Sequence, residues 1–126
     1  MLGVRERIKD DKQIPTRTRS YAQEKAVAKA VKGRQTPNSG AASIKGDVLI
    51  DGSYTSSWLI ECKTKMTSSN SISIKKEWFF KNQYEASEMG KANTAIAFNF
   101  GPNEENYYII NQDLFNILVE TLKEGE

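Results

Sequence analysis

The sequence predicts an α/β domain in which a mixed central β-sheet is flanked by helices on both faces. The periodic segments follow the order helix, hairpin, helix, strand, strand, helix, which is typical of that class. Both faces of the hairpin strands are apolar, because the strands consist of Val48-Leu49-Ile50 and Trp58-Leu59-Ile60. Strands of this kind usually lie centrally in a sheet and are covered on both sides. A length of 126 residues suits one domain with a single core.

The composition excludes several classes of chemistry. The chain is 38% hydrophobic and 27% charged, with a net charge of +2, which permits a local nucleic-acid-binding patch without demanding one. It has no histidine and one cysteine, so histidine-dependent nucleophiles, histidine metal ligands and an internal disulfide are excluded. No run of membrane-spanning length and no signal-peptide pattern is visible, and we therefore expect an intracellular, cytoplasmic protein without membrane contact.

Residues 1–19 are polar and basic and lack a periodic apolar face, which predicts a flexible N-terminal arm. The arm either contacts a phosphate backbone or is a solvated tail. Residues 20–126 are predicted to form the single domain.

The first helix is predicted by a capping box of Ser20 and Gln23 and by Gly33, which follows its expected end at Lys32. Glu24 lies on the apolar stripe of this helix. A glutamate in that position either reaches solvent or points at a metal ion.

Gly46–Lys65 is the segment from which the function is inferred. If the hairpin is centred on Tyr54, Asp47 lies directly opposite Glu61. Facing carboxylates destabilise an antiparallel pair unless something offsets their charge, and a divalent cation does so. Lys63 shares their face and either orients a water molecule or neutralises a phosphate.

A loop precedes the hairpin and a second helix follows it. The Pro-Asn-Ser-Gly run over residues 37–40 predicts a loop with backbone amides that are free to bind anions. The second helix is predicted to begin with Ser73 as its cap and to end near Met89, before Gly90. Its aromatic residues either stack on bases between lysines or pack into the core. The aromatic residues are Trp78, Phe79, Phe80 and Tyr84, and the lysines are Lys75, Lys76 and Lys81.

The remainder of the chain carries no predicted chemistry. Residues 93–100 and 107–110 are predicted to be strands, and Asn111 is predicted to cap a C-terminal helix. The apolar stripe of that helix is predicted to belong to the core or to line a subunit interface.

Three features, which follow one another along the chain as a helix glutamate, a Ser-Gly-Ala loop and an Asp…Glu-x-Lys hairpin, resemble the PD-(D/E)XK nuclease superfamily. The spacing of Asp47, Glu61 and Lys63 resembles its active-site motif. The Arg34…Pro-Asn-Ser-Gly-Ala loop resembles the loop before the catalytic aspartate of archaeal-type Holliday-junction resolvases and their small phage relatives. Glu24 resembles their first-helix glutamate. The resemblance implies a restriction-endonuclease-like core.

The resemblance also implies a function, which is metal-dependent, structure-selective cleavage of branched DNA. Mg²⁺, with Mn²⁺ as a substitute, is expected as the cofactor, and a homodimer is expected because junction resolution needs two symmetric cuts. The alternatives are a flap, nicking or single-strand nuclease of the same fold, in phage replication or packaging, or a catalytically idle DNA-binding module.

The candidate residues follow from the resemblance and from the patterns above. Cys62 is expected to contribute its backbone carbonyl, while its side chain is expected to be buried and unreactive. The predicted metal ligands are Asp47, Glu61, Cys62 and Glu24; the predicted catalytic residues are Glu24, Asp47, Glu61, Lys63 and Ser39; and the predicted DNA contacts are Arg34, Ser39, Lys45, Lys75, Lys76 and Gln83.

Overall fold

The structure, a computed structural model, describes residues 16–36 and 47–126. These residues form an α/β fold with a five-stranded mixed sheet and three α-helices. A short 3₁₀ turn, Tyr54–Ser56, connects the second and third strands. The elements in chain order are α1 (Thr16–Val31), β1 (Arg34–Gln35), β2 (Asp47–Ile50), β3 (Trp58–Lys63), α2 (Lys76–Met89), β4 (Asn93–Phe98), β5 (Tyr107–Ile109) and α3 (Gln112–Glu124).

The strands follow the order β1-β2-β3-β4-β5 across the sheet. Strands β3 and β4 are parallel, as a crossover through α2 allows, and the other neighbouring pairs are antiparallel. Helix α1 packs on one face of the sheet and α2 packs on the other. The predicted α/β class and the central, doubly covered position of the hairpin strands are therefore confirmed.

The alternation of side chains along the hairpin divides the core between the two faces. Val48, Ile60 and Cys62 face α1, where Val27 completes their cluster. Leu59 faces α2 together with Leu49 and Ala86. Apolar side chains on both faces of the same strands thus anchor both helices to the hairpin.

Leu59→Ala is expected to reduce the free energy of unfolding by about 2–5 kcal/mol, because Leu59 is fully buried and alanine would leave a cavity. Leu122→Ala in α3 is the matched control, since Leu122 is 74% exposed and its truncation should cost less than about 0.5 kcal/mol. Urea unfolding measures both values. Equal destabilisation by the two variants would contradict this view of the core.

The predicted starts of the first two helices are wrong, whereas their predicted ends and the cap of the third helix are confirmed; the strands predicted at 93–100 and 107–110 end earlier, at Phe98 and Ile109. Helix α1 begins at Thr16, so Ser20 lies inside it and residues 16–19 of the predicted arm are helical; the arginines there are good helix formers. Helix α2 begins at Lys76 rather than after Ser73, since the β-branched isoleucines of the preceding segment disfavour a helix. Gly90 ends α2 with φ 71°, and Asn111 caps α3 by accepting a hydrogen bond.

Helix α3 does not contribute its apolar stripe to the core, and that prediction is wrong. None of its residues is buried, and Phe115, Ile117 and Leu122 are more than half exposed. The alternative prediction, a subunit interface, stays a prediction. No helix within the described ranges is both long and apolar enough to cross a lipid bilayer.

Candidate functional site

The hairpin places two carboxylates directly across from each other. Asp47 at the start of β2 pairs with Glu61 on β3, which confirms the predicted register. Facing residues of an antiparallel pair have Cβ atoms about 4.5–5.5 Å apart. Both side chains are almost fully buried, with Asp47 4% and Glu61 5% exposed. The pair lies on the face covered by α2, at the end of the sheet opposite the Tyr54–Ser56 turn.

Lys63 joins this acidic pair. Its Nζ lies 2.8 Å from Oε2 of Glu61 and 4.7 Å from the ring centroid of Trp78 in the first turn of α2. The ammonium group is thus held between a carboxylate and an indole ring, and the lysine side chain remains about one-third exposed. Among the described residues, this site therefore brings two carboxylates and one ammonium group together.

Cys62 lies between Glu61 and Lys63 but faces α1 on the other side of the sheet. Burial raises the pKa of its thiol, and the nearby carboxylates of Glu24, Asp47 and Glu61 raise that pKa further. The thiolate is therefore disfavoured, and the predicted burial of the side chain is confirmed. All three carboxylates therefore lie near the end of β3. The predicted role of its backbone carbonyl stays a prediction.

Glu24 points inward from α1 and is 7% exposed, so the alternative in which it reaches solvent is wrong. Burial raises the pKa of its carboxyl group, and a hydrogen bond from the side chain of Gln35 on β1 lowers it in part. Within residues 16–36 and 47–126, no three acidic or cysteine side chains gather closely enough to hold a metal ion. The role of Glu24 as a third metal ligand stays a prediction.

Glu24→Gln is expected to raise the unfolding temperature at pH 7 in EDTA, because an amide at this position avoids the cost of burying an ionised carboxylate. The folded-state pKa of Glu24 lies above its unfolded value, so wild type gains stability from this group as pH falls and loses that gain as pH rises through the folded-state pKa. The advantage of the variant should therefore shrink towards pH 4. Thermal unfolding between pH 4 and 8 measures it, and a lower unfolding temperature for the variant at pH 7 would contradict this account.

Gln23 is a positioning residue, although its sequence pattern indicated only part of a helix cap. Its buried Nε2 donates to the backbone oxygen of Lys63 (2.8 Å), to that of Ala97 (3.3 Å) and to Oδ1 of Asn106 (3.1 Å). It thereby fixes α1 to the ends of β3 and β4 and holds the backbone of Lys63. The available signal was a glutamine next to Glu24, one turn before the inward-facing Val27.

Arg34 lies at the opposite end of the sheet, in a different cluster. Its Nε and Nη2 donate to the carboxylate of Asp51 at 2.6 and 3.1 Å, and Lys91 donates to the same carboxylate at 3.0 Å. These hydrogen bonds hold the pKa of Asp51 well below its usual range, and the bond from Arg34 contributes most. Asp51 therefore joins three segments of the chain, its own, that of Arg34 and that of Lys91. The predicted contact of Arg34 with a phosphate would require this ion pair to open.

The other predicted DNA-binding residues divide into two groups. Lys75, Lys76 and Gln83 are exposed on or beside α2, where a nucleic acid can reach them. Ser39 and Lys45 lie outside the described residues. Their predicted roles stay predictions.

The comparisons with known proteins leave the family of the chain open. The structure brings together Asp47, Glu61 and Lys63, and it does not gather Glu24 with the two acids into a metal-binding group. No protein-family model, no curated protein and no solved structure matches the chain.

Proposed function

We propose that this protein is a magnesium-dependent endodeoxyribonuclease of the PD-(D/E)XK type, with a restriction-endonuclease-like core. The observation that carries the proposal is the facing pair of Asp47 and Glu61, buried at one end of the sheet, with Lys63 ion-paired to Glu61. Burying two carboxylates side by side is costly, and a bound divalent cation would offset that cost.

The donor set of this site fits Mg²⁺. Hard cations prefer oxygen ligands, and Mg²⁺ is commonly held by one or two carboxylates while water and substrate phosphates complete its shell. Asp47 and Glu61 would supply the carboxylates, so a third acidic side chain is not required. The bound ion would polarise the scissile phosphate and lower the pKa of a coordinated water molecule.

Lys63 is the residue placed to assist the hydrolysis. Its ammonium group is fixed between Glu61 and Trp78, and its partial exposure leaves it accessible to a phosphate. It would orient the attacking water or stabilise the negative charge that develops on the phosphate oxygens. Attack of the water on phosphorus would break the bond to the 3′ oxygen, and the ends expected from the family resemblance are a 5′ phosphate and a 3′ hydroxyl.

The preferred substrate is proposed to be branched DNA, cut by an intracellular homodimer as in Holliday-junction resolution. The resemblance to Holliday-junction resolvases favours recognition of DNA structure over recognition of base sequence. The second candidate is a nuclease for flaps, nicks or single strands, which the exposed aromatic side chains of α2 favour. A catalytically idle DNA-binding module is the third.

A panel of substrates tests the proposal. A four-way junction, a flap, a linear duplex and a single strand are incubated with wild type or Glu61→Ala, in Mg²⁺ or in EDTA. Paired nicks in the junction that need both Mg²⁺ and Glu61 would support the resolvase. Preferential cutting of the flap or single strand would support the second candidate. Binding without any cutting by wild type would overturn the nuclease proposal in favour of the idle module.

A further inference from the structure

Trp78 is a large apolar side chain whose position the hydrophobic core does not explain. It lies in the first turn of α2, is partly buried, and belongs to neither of the two core clusters of the described residues. The other tryptophan of the chain, Trp58, packs against the core cluster on the α1 face. The ring of Trp78 instead faces the ammonium group of Lys63, whose Nζ lies 4.7 Å from the ring centroid.

Helix α2 holds this ring against the candidate site. Trp78, Asn82 and Ala86 follow one another at intervals of four residues, so they form one stripe along the helix. Asn82 and Ala86 are 1% and 2% exposed, and Nδ2 of Asn82 donates a hydrogen bond to the backbone oxygen of Ala95 on β4 (3.2 Å). The stripe therefore faces the sheet, and its first ring lies at Lys63.

The ammonium group of Lys63 has two contacts of different kinds. One is the charged carboxylate of Glu61, whose Oε2 lies 2.8 Å from Nζ. The other is the face of the Trp78 ring, which attracts a cation through its quadrupole and carries no net charge. Mg²⁺ prefers oxygen ligands, so it would compete with the lysine for Glu61 and would leave the ring contact alone.

This difference matters when Glu61 binds the metal ion of the proposed nuclease. The carboxylate would then attract the ammonium group less strongly, and the divalent charge would repel that group. Lys63 has a long, flexible side chain that is about one-third exposed, so nothing in its own structure prevents it from moving into solvent. A misplacement of about 1 Å can lower a reaction rate about 100-fold. A contact that does not depend on the charge of Glu61 would therefore be needed to keep the lysine in place.

We propose that Trp78 is a positioning residue whose indole ring keeps the ammonium group of Lys63 at the candidate site when Glu61 binds the metal ion. The proposal rests on the proposed nuclease function and extends it by a residue that acts through Lys63. The contact requires an aromatic ring, because an aliphatic side chain has no quadrupole to attract the cation. Tryptophan gives the strongest contact of this kind, and tyrosine and phenylalanine retain part of it.

NMR of the metal-free full chain tests the contact without any cleavage. Protons that lie over the face of an indole ring resonate upfield, so the terminal methylene protons of Lys63, assigned by comparison with Lys63→Met, report the contact. We expect the upfield shift in wild type and in Glu61→Gln, which removes the carboxylate charge, and we expect Trp78→Leu to lose it. Loss of the shift in Glu61→Gln would overturn the proposal, because the carboxylate alone would then hold the lysine.

Single-turnover cleavage in Mg²⁺ tests the consequence for catalysis. Trp78→Leu is expected to lower the rate at saturating DNA about 100-fold, while the DNA concentration that gives half the maximal rate changes by less than about three-fold. Trp78→Tyr, which keeps an aromatic ring, should cut within about ten-fold of wild type. Trp58→Leu is the matched control, since Trp58 lies beside the Tyr54–Ser56 turn at the opposite end of the sheet. It should lower the stability measured by urea unfolding and leave the cleavage rate unchanged.

Equal cleavage rates of Trp78→Leu and wild type would overturn the proposal. A rate of Trp78→Tyr as low as that of Trp78→Leu would overturn it as well, since the ring would then have no role of its own. If wild type cuts no DNA, the nuclease proposal fails, whereas an upfield shift that persists in Glu61→Gln would still support Trp78 as the residue that holds Lys63.

Discussion

Asp47→Asn is expected to lower Mg²⁺-dependent DNA cleavage by about 1,000-fold and to leave the stability of the metal-free protein unchanged or higher. The loss follows because the metal contributes several kcal/mol of transition-state stabilisation, and each 1.36 kcal/mol corresponds to a tenfold change in rate. Stability is expected to hold because the amide has the same shape and removes one of two facing negative charges. Cleavage rates and unfolding in EDTA measure the two effects.

Asp51→Asn is the matched control for that variant, since Asp51 belongs to the same hairpin but pairs with Arg34 at the other end of the sheet. It should retain the cleavage rate of wild type. If Asp47→Asn cuts as fast as Asp51→Asn, Asp47 does not hold the metal. If Asp47→Asn unfolds far more easily in EDTA than wild type, its carboxylate is structural, and the lost activity would carry no information about the metal.

Lys63→Met is expected to lower cleavage by about 100-fold to 10,000-fold, the range typical of a residue that assists proton transfer or stabilises developing charge. It is also expected to destabilise the protein by about 1–2 kcal/mol, because Glu61 would remain buried without its partner. This expected destabilisation is smaller than for a fully buried ion pair, since the Lys63 side chain is one-third exposed. Single-turnover cleavage and urea unfolding measure these effects.

The double variant Lys63→Met with Glu61→Gln separates the two roles of the lysine. Its stability should return towards that of wild type, because the uncompensated charge has been removed, while its activity should stay low. A double variant as unstable as Lys63→Met alone would contradict the ion-pair explanation. Full activity in Lys63→Met would exclude the lysine from the chemistry.

The centre of the fold and most of the site could be predicted from local pattern. A hairpin centred on Tyr54 pairs residues that lie equally far from Tyr54 along the chain. The pairing of Asp47 with Glu61 could therefore be calculated from their residue numbers. The same alternation separated Cys62 from the acidic face. Gly90 and Asn111 marked helix ends because their roles depend on local backbone chemistry.

The features that the sequence did not reveal depend on contacts between distant segments. Gln23 bonds to residues 40 to 83 positions away, and Asp51 joins Arg34 to Lys91, which no local periodicity encodes. Strand β1 has two residues, too few for alternation to be visible. The apolar stripe of α3 indicated burial, but within the described part of the chain nothing covers that stripe.

Localised cleavage of the protein backbone by Fe²⁺ tests the central claim most directly, because Fe²⁺ bound in place of Mg²⁺ generates radicals that cut the peptide chain beside the metal. The protein is loaded with Fe²⁺, treated with ascorbate and peroxide, and its fragments are mapped by mass spectrometry. We expect cuts near residues 47 and 61 that Mg²⁺ competes away and that Asp47→Asn abolishes. Cuts spread along the chain, or cuts unchanged in Asp47→Asn, would contradict the proposed metal site.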